Sequence, residues 1–264
     1  MKTLPTILVL AATTSSTFAL AGNNCDVNLD ANFSLKDNQI IFSDDHQHEL
    51  YRITAKNELV IDNHNVRLSA AGQSSLNAYA SGIRDVVPQV RDVAIEGVNI
   101  AIEGVNLAFD GLLGEGNDVS EDLTFELSQI RDQLAHKFDS GSGIYIGNGH
   151  DMAEDVFGED FEQRFEDVLE SAIERSMGSL LMAVGREMIF SGGDMEAFEA
   201  RMEDFGHNIE SQMEARAENI EKSAYALCEQ IVHIDKLEDE LKANVPELSK
   251  IDVLHVHGHS HKDI

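Results

Sequence analysis

Four histidines stand at every second position near the end of the chain, His255, His257, His259 and His261. In an extended segment alternate side chains share one side, and neutral imidazoles so placed suit zinc, nickel or copper. A second group, Asp44-Asp45-His46-Gln47-His48-Glu49, could join them if the fold brought the two together. A dedicated metal site needs partners that fix each imidazole, and terminal segments are where order is lost first. The competing expectation is therefore a solvated tail that binds metal as any oligo-histidine does.

The only cysteines are Cys25 and Cys228. In an exported protein an even pair reads most simply as a disulfide, and two cysteines allow one intramolecular connectivity. It would close a loop of about 200 residues, for which chain entropy gives on the order of 5 kcal/mol before native strain is subtracted. A reactive thiol or a cysteine metal site are the alternatives; neither residue stands in a Cys-x-x-Cys pair, although His233 follows Cys228 by five positions.

Catalytic signatures are absent. The stretch Gly141-Ser-Gly-Ile-Tyr-Ile-Gly-Asn-Gly149 has the glycines of a phosphate loop but no following Gly-Lys-Ser/Thr, and Asp151, Glu154 and Asp155 would oppose an anion. His150-Asp151, with Ser140 or Ser142, is the nearest thing to an acid/base and nucleophile set, but geometry rather than inventory defines such a site. No calcium loop, His-Glu-x-x-His helix or Gly-x-Ser-x-Gly elbow occurs. The expectation is a protein with no catalytic residues and no obligate cofactor.

Charge narrows the partners. There are 48 Asp+Glu against 19 Lys+Arg, a formal charge of −29, which repels phosphate backbones and anionic headgroups and argues against nucleic-acid binding. Apolar content of 42% over 264 residues is enough for a sizeable core. Residues 1–21, MKTLPTILVLAATTSSTFALA, have the layout of a secretory signal peptide: Lys2, an apolar run, then Ala19-Leu20-Ala21 as a small-x-small cleavage site. The unbroken apolar run is about half the ~20 residues a membrane span requires, and no second run is longer, so no membrane span is expected.

These groups must be positioned by a mixed architecture. Residues 22–70 read as an antiparallel β meander: Val27, Leu29, Ala31 and Phe33 alternate with polar residues, and Asp37-Asn38 and Asp62-Asn63 supply turns. Over residues 71–150 the period becomes helical, with Leu76, Tyr79, Ile83, Val90, Val98 and Val105 at three- and four-residue steps, and a short Gly-flanked strand near 143–147 returns to the sheet. Ile95-Glu-Gly-Val-Asn-Ile-Ala is followed at once by Ile102-Glu-Gly-Val-Asn-Leu-Ala. A heptad duplication keeps one helix face constant, and its glycines, each costing about 1 kcal/mol against Ala, suggest close approach of another backbone.

Residues 151–245 read as a long helical hairpin. Its second arm carries Met195, Phe198, Met202, Phe205, Ile209, Met213, Ile220, Leu227, Ile231, Ile234, Leu237 or Glu238, and Leu241 at helical spacing. A helix of that extent is about 70 Å long, so it is expected to pair with the preceding helix in a coiled-coil-like manner. Pro246 ends it, and 246–264 form the His-rich tail. The fold class is α+β: a small N-terminal antiparallel sheet followed by long helices.

Cys25-Asp-Val-Asn-Leu29 after the leader, the strand-rich start, Val86-Val-Pro88-Gln-Val90 leading to Ala94-Ile-Glu-Gly-Val98, and Cys228 on a late long helix together resemble the YggN-like proteins, exported Gram-negative proteins with a domain of unknown function. The resemblance covers almost the whole mature chain. It implies a periplasmic location and a Cys25–Cys228 pair, and it brings no catalytic residues. The expected role is a non-enzymatic envelope interaction or chaperone-like factor, engaging envelope proteins through the hairpin, where Met202, Phe205 and Met213 could re-pack against varied partners. A homo-oligomer would use the same stripe. The runner-up is a periplasmic metal-binding protein using the histidine tail.

Overall fold

A computed structural model describes residues 25–138, 143–147, scattered positions between 163 and 185, and 195–258. Residues 1–21, expected to be a leader, and the set His150, Asp151, Ser140 and Ser142 lie outside the described residues, as does most of the first arm of the expected hairpin.

The chain is α+β, an antiparallel sheet followed by long helices. The strands are β1 (Cys25–Leu29), β2 (Asn32–Lys36), β3 (Gln39–Ser43), β4 (Glu49–Ile53), β5 (Leu59–Ile61), β6 (His64–Asn65), β7 (Ile144–Ile146) and β8 (Leu254–Gly258). The helices are α1 (Ala70–Leu113), α2 (Asp118–Lys137) and α3 (Met195–Asn244), with a 3-10 turn at Pro246–Leu248. Six strands form one antiparallel sheet in the order β6-β5-β4-β3-β2-β7. Its tight turns are local chemistry: Asp37 and Asn38, and again Asp62 and Asn63, take positive φ, the pair of left-handed residues that a two-residue hairpin needs and that Asp and Asn tolerate.

The expectation of one N-terminal meander needs correcting at its first strand. The alternating run Val27 to Phe33 is split after Leu29: β2 enters the six-stranded sheet, whereas β1 pairs with β8 in a separate two-stranded sheet, Cys25 opposite Gly258 and Leu29 opposite Leu254. Alternation specifies a buried face, not a neighbour.

One face of the larger sheet forms the core. Phe33, Leu35, Ile40, Phe42, Tyr51, Ile53 and Leu59 pack with Leu76, Tyr79, Ala80 and Ile83 of α1 and Ile234, Leu237 and Leu241 of α3. Phe33, Phe42 and Tyr51 stand side by side across three strands, their ring centroids 5.6 and 5.0 Å apart, the kind of cross-strand pairing that fixes register. Helix α1 starts on an N-cap, Ser69 Oγ accepting the Gly72 amide at 3.0 Å, and Asn117 caps α2 by accepting the Ser120 amide at 2.9 Å. Arg84 on α1 fastens helix to sheet: its guanidinium donates to the Asn38 and Thr54 carbonyls, both at 3.0 Å, and to Asn57 Oδ1 at 2.6 Å.

The described partner of α3 is α1, which it meets in antiparallel order: Ile234 lies over Gly82, Ile220 over Gly97, Met213 over Gly104 and Phe205 over Gly111. Gln89 and Gln230 exchange amide hydrogen bonds across this pair at 2.7 and 2.8 Å. The glycines of the duplicated heptad thus receive side chains from α3, not another backbone. Gly111 continues their seven-residue spacing as a third, degenerate copy in Phe109-Asp-Gly-Leu-Leu113.

Candidate functional site

Cys25 on β1 and Cys228 on α3 form a disulfide with a Cα–Cα distance of 6.0 Å, bridging a sequence separation of 203. No free cysteine exists among the described residues. The bond ties the small β1–β8 sheet to the long helix.

The histidines divide. His255 lies opposite Asn28 in the β1–β8 ladder and His257 opposite Asp26, so the segment begins as a paired strand; His259 and His261 lie outside the described residues. The Nε2 atom of His255 stands 3.0 Å from Asp30 Oδ2 and 4.0 Å from Asp252 Oδ2. His46 and His48 belong to the β3–β4 turn, organised by Asp44: Oδ1 accepts both their backbone amides, at 2.9 and 2.8 Å, and Oδ2 lies 3.2 Å from His48 Nδ1. The backbone hydrogen bond from His48 is the main cause that holds the Asp44 carboxyl below its ordinary range. Among the described residues no group of three or more His, Cys, Asp or Glu is arranged to hold a metal ion.

The apolar stripe of α3 has two environments. At its C-terminal end Ile234, Leu237 and Leu241 are buried in the core. Toward the N-terminus Met202, Phe205, Ile209, Met213 and Ile220 are only half-buried, although Phe205, Met213 and Ile220 face the heptad glycines. Helix α1 changes in the same way: its buried residues stop at Val87, immediately before Pro88, and from there to Leu113 no side chain is fully buried. Alpha2 completes this helical arm through Val119 and Leu123 against Val105, Phe109 and Leu113. There Asn106 Oδ1 accepts hydrogen bonds from Ser120 and Thr124 at 2.8 and 2.9 Å. On the other side Arg216 of α3 reaches the two heptad glutamates, 3.8 Å from Glu96 and 3.1 Å from Glu103. Phe125 on α2 is 63% exposed and Tyr225 on α3 is 52% exposed.

A group that sequence reading leaves ambiguous is Glu238, which shares a stripe position with Leu237. Its side chain points into the protein and the residue is 2% exposed. Oε1 accepts the Val253 amide at 2.9 Å, and Oε2 has no hydrogen-bond partner among the described residues. Burial pushes its carboxyl up to about 7. Nearby, Tyr51 and Tyr79 bring their buried hydroxyls within 3.3 Å of each other, and burial, followed by neighbouring negative charge, holds both phenols well above their ordinary range. Lys242 Nζ bridges Asp239 and Asp252 at 2.8 Å each; burial works against its charge, but these hydrogen bonds hold its pKa above the ordinary value. The signal in the sequence is an acid amid an apolar run, which periodicity alone cannot place inside or outside.

No helix among the described residues is long and apolar enough to cross a membrane. No curated protein and no solved structure matches the chain. The family described as "Protein of unknown function (DUF2884)" matches residues 25–254, from the disulfide-bonded Cys25 to the first residue of β8. The YggN-like resemblance agrees with that match, and the chain belongs to this family of unknown function.

Proposed function

We propose that this chain is an exported, non-enzymatic interaction protein of the periplasm, chaperone-like in character, that engages envelope proteins through the arm built by α1, α2 and α3. The observation that carries the reading is the division of the long helices at Pro88. On one side their apolar residues fill the core; on the other, Met202, Phe205, Ile209, Met213 and Ile220 keep part of their surface in water. A contiguous stripe of half-exposed apolar side chains suits a contact surface, and methionine within it adapts to differently shaped partners. The disulfide supports an oxidising compartment, consistent with the leader-like residues 1–21.

The test follows aggregation of a chemically denatured secreted model protein by light scattering, with and without the oxidised protein. The wild type is expected to suppress scattering in a dose-dependent manner. A Phe125→Ala/Tyr225→Ala variant, altered only at exposed positions, is expected to lose most of that effect while keeping its circular dichroism. No suppression, or undiminished suppression by the variant, would remove the arm from this role.

A further inference from the structure

The segment after α3 is a strap held by its backbone. Val245, Leu248, Val253 and Leu254 are buried in the core. Val253 is held at both polar groups: its amide donates to Glu238 Oε1 at 2.9 Å, and its carbonyl accepts the Asp30 amide at 3.0 Å. One residue later the chain becomes β8 and pairs with β1, which Cys25 joins to Cys228, ten positions before Glu238 on the same helix. Strap, strand pair, disulfide and helix therefore close a ring; Glu238 holds it from inside, while Lys242 to Asp252 at 2.8 Å and His255 to Asp30 at 3.0 Å hold it at more exposed positions.

Glu238 is poorly suited to carry charge. Its second oxygen is buried with no hydrogen-bond partner among the described residues, which is costly for a carboxylate and much less so for a neutral acid. The groups around it do not offset this fully. The Val253 amide bonded to Oε1 favours the carboxylate, and so does Lys242 on α3, which is already bonded to Asp239 and Asp252; against them stand burial and the negative charges of Asp235 on α3 and Asp252 on the strap, while Tyr51 on β4 and Tyr79 on α1 contribute neutral hydroxyls. Opening the strap would let water reach the carboxylate.

We propose that residues 245–258 form a proton-gated clasp, shut while Glu238 is protonated and loosened when it ionises. The direction follows from linkage. A carboxyl whose pKa is raised in the closed form, here to about 7 from an ordinary 4.5, binds its proton more tightly closed than open, so raising the pH favours opening. The opening constant is expected to rise about tenfold per pH unit between those two values and to level off above 7, a total near 300-fold. This inference is independent of the arm reading, because it concerns the other end of α3.

Amide hydrogen exchange of Val253, Leu254 and His255, corrected for intrinsic rates, tests it against core amides such as Ile40 and Ile53. The wild type should show strap opening more frequent than core opening and increasing with pH up to neutrality; Glu238→Gln should show a nearly flat profile. In the unmodified protein the Glu238 carboxyl carbon shift should titrate with the same midpoint, which keeps the test decisive if the variant folds poorly. Strap amides that exchange only together with the core, a pH-independent strap, or a wild-type slope retained by Glu238→Gln would each overturn the clasp.

Discussion

Phe205 of α3 lies directly against the backbone of Gly111 in α1, so that a methyl group on this glycine would overlap the ring. At Gly97 and Gly104 the same added carbon would sit 3.5 Å from Ile220 Cδ1 and Met213 Cε, an ordinary contact distance. Three glycines at one heptad position thus carry different constraints. Glycine costs a helix about 1 kcal/mol relative to Ala, and overpacking costs about 1–3 kcal/mol. Gly97→Ala and Gly104→Ala are expected to stabilise the protein by up to about 1 kcal/mol in urea unfolding, and Gly111→Ala to destabilise it by about 1 kcal/mol. Equal gains at all three would mean that Phe205 moves aside freely.

Arg84 gives a second prediction. Its three hydrogen bonds reach two turns of the sheet, Asn38 between β2 and β3 and Thr54 and Asn57 between β4 and β5, and Arg84→Ala leaves the Asn38 and Thr54 carbonyls without this donor. A loss of about 2–3 kcal/mol is expected, with little recovery in Arg84→Lys, since an ammonium cannot reproduce the planar fork. Urea denaturation of the three proteins checks both statements.

Reduction of the disulfide should lower stability substantially. Closure of a 203-residue separation limits the unfolded chain by on the order of 5 kcal/mol, an upper figure, and the bond also holds β1 on α3. The Cys25→Ala/Cys228→Ala variant is expected to unfold at lower urea than the oxidised protein and to be insensitive to reductant. Coincident curves would mean that the loop ends stay together without the bond.

Much of this architecture is legible in the sequence where the controlling physics is local. Asp37-Asn38 and Asp62-Asn63 mark hairpin turns because they accept positive φ, and Ile144–Ile146 reads as a strand between glycine-rich turns and does pair with β2. Longer-range relations are less legible. Alternation in Val27 and Leu29 identifies a strand but not β8 as its partner. The stripe of α3 identifies a packing face but not that α1 lies against it, since apolar faces do not encode which helix they meet; the pairing with the preceding arm lies outside the described residues. Glu238 is hardest: whether an acid in an apolar run is buried depends on the strap that covers it.

Metal titration addresses the histidine tail. With Nε2 of His255 beside Asp30, calorimetry with zinc or nickel is expected to show only weak binding. Replacing His255, His257, His259 and His261 by Asn is preferable to truncation, which would remove the β1–β8 ladder. A stoichiometric, sub-micromolar site lost in that variant would favour metal handling over the interaction reading.

Site-specific photo-crosslinking in the producing cells reads out contact between the arm and envelope proteins. A benzophenone side chain would be placed at Phe125 or Tyr225 on the arm, and at Lys56, exposed on a sheet turn, as the comparison. Discrete adducts with other envelope proteins are expected from both arm positions and none from Lys56. Absence of adducts from the arm, or the same adducts from all three positions, would contradict the proposed contact.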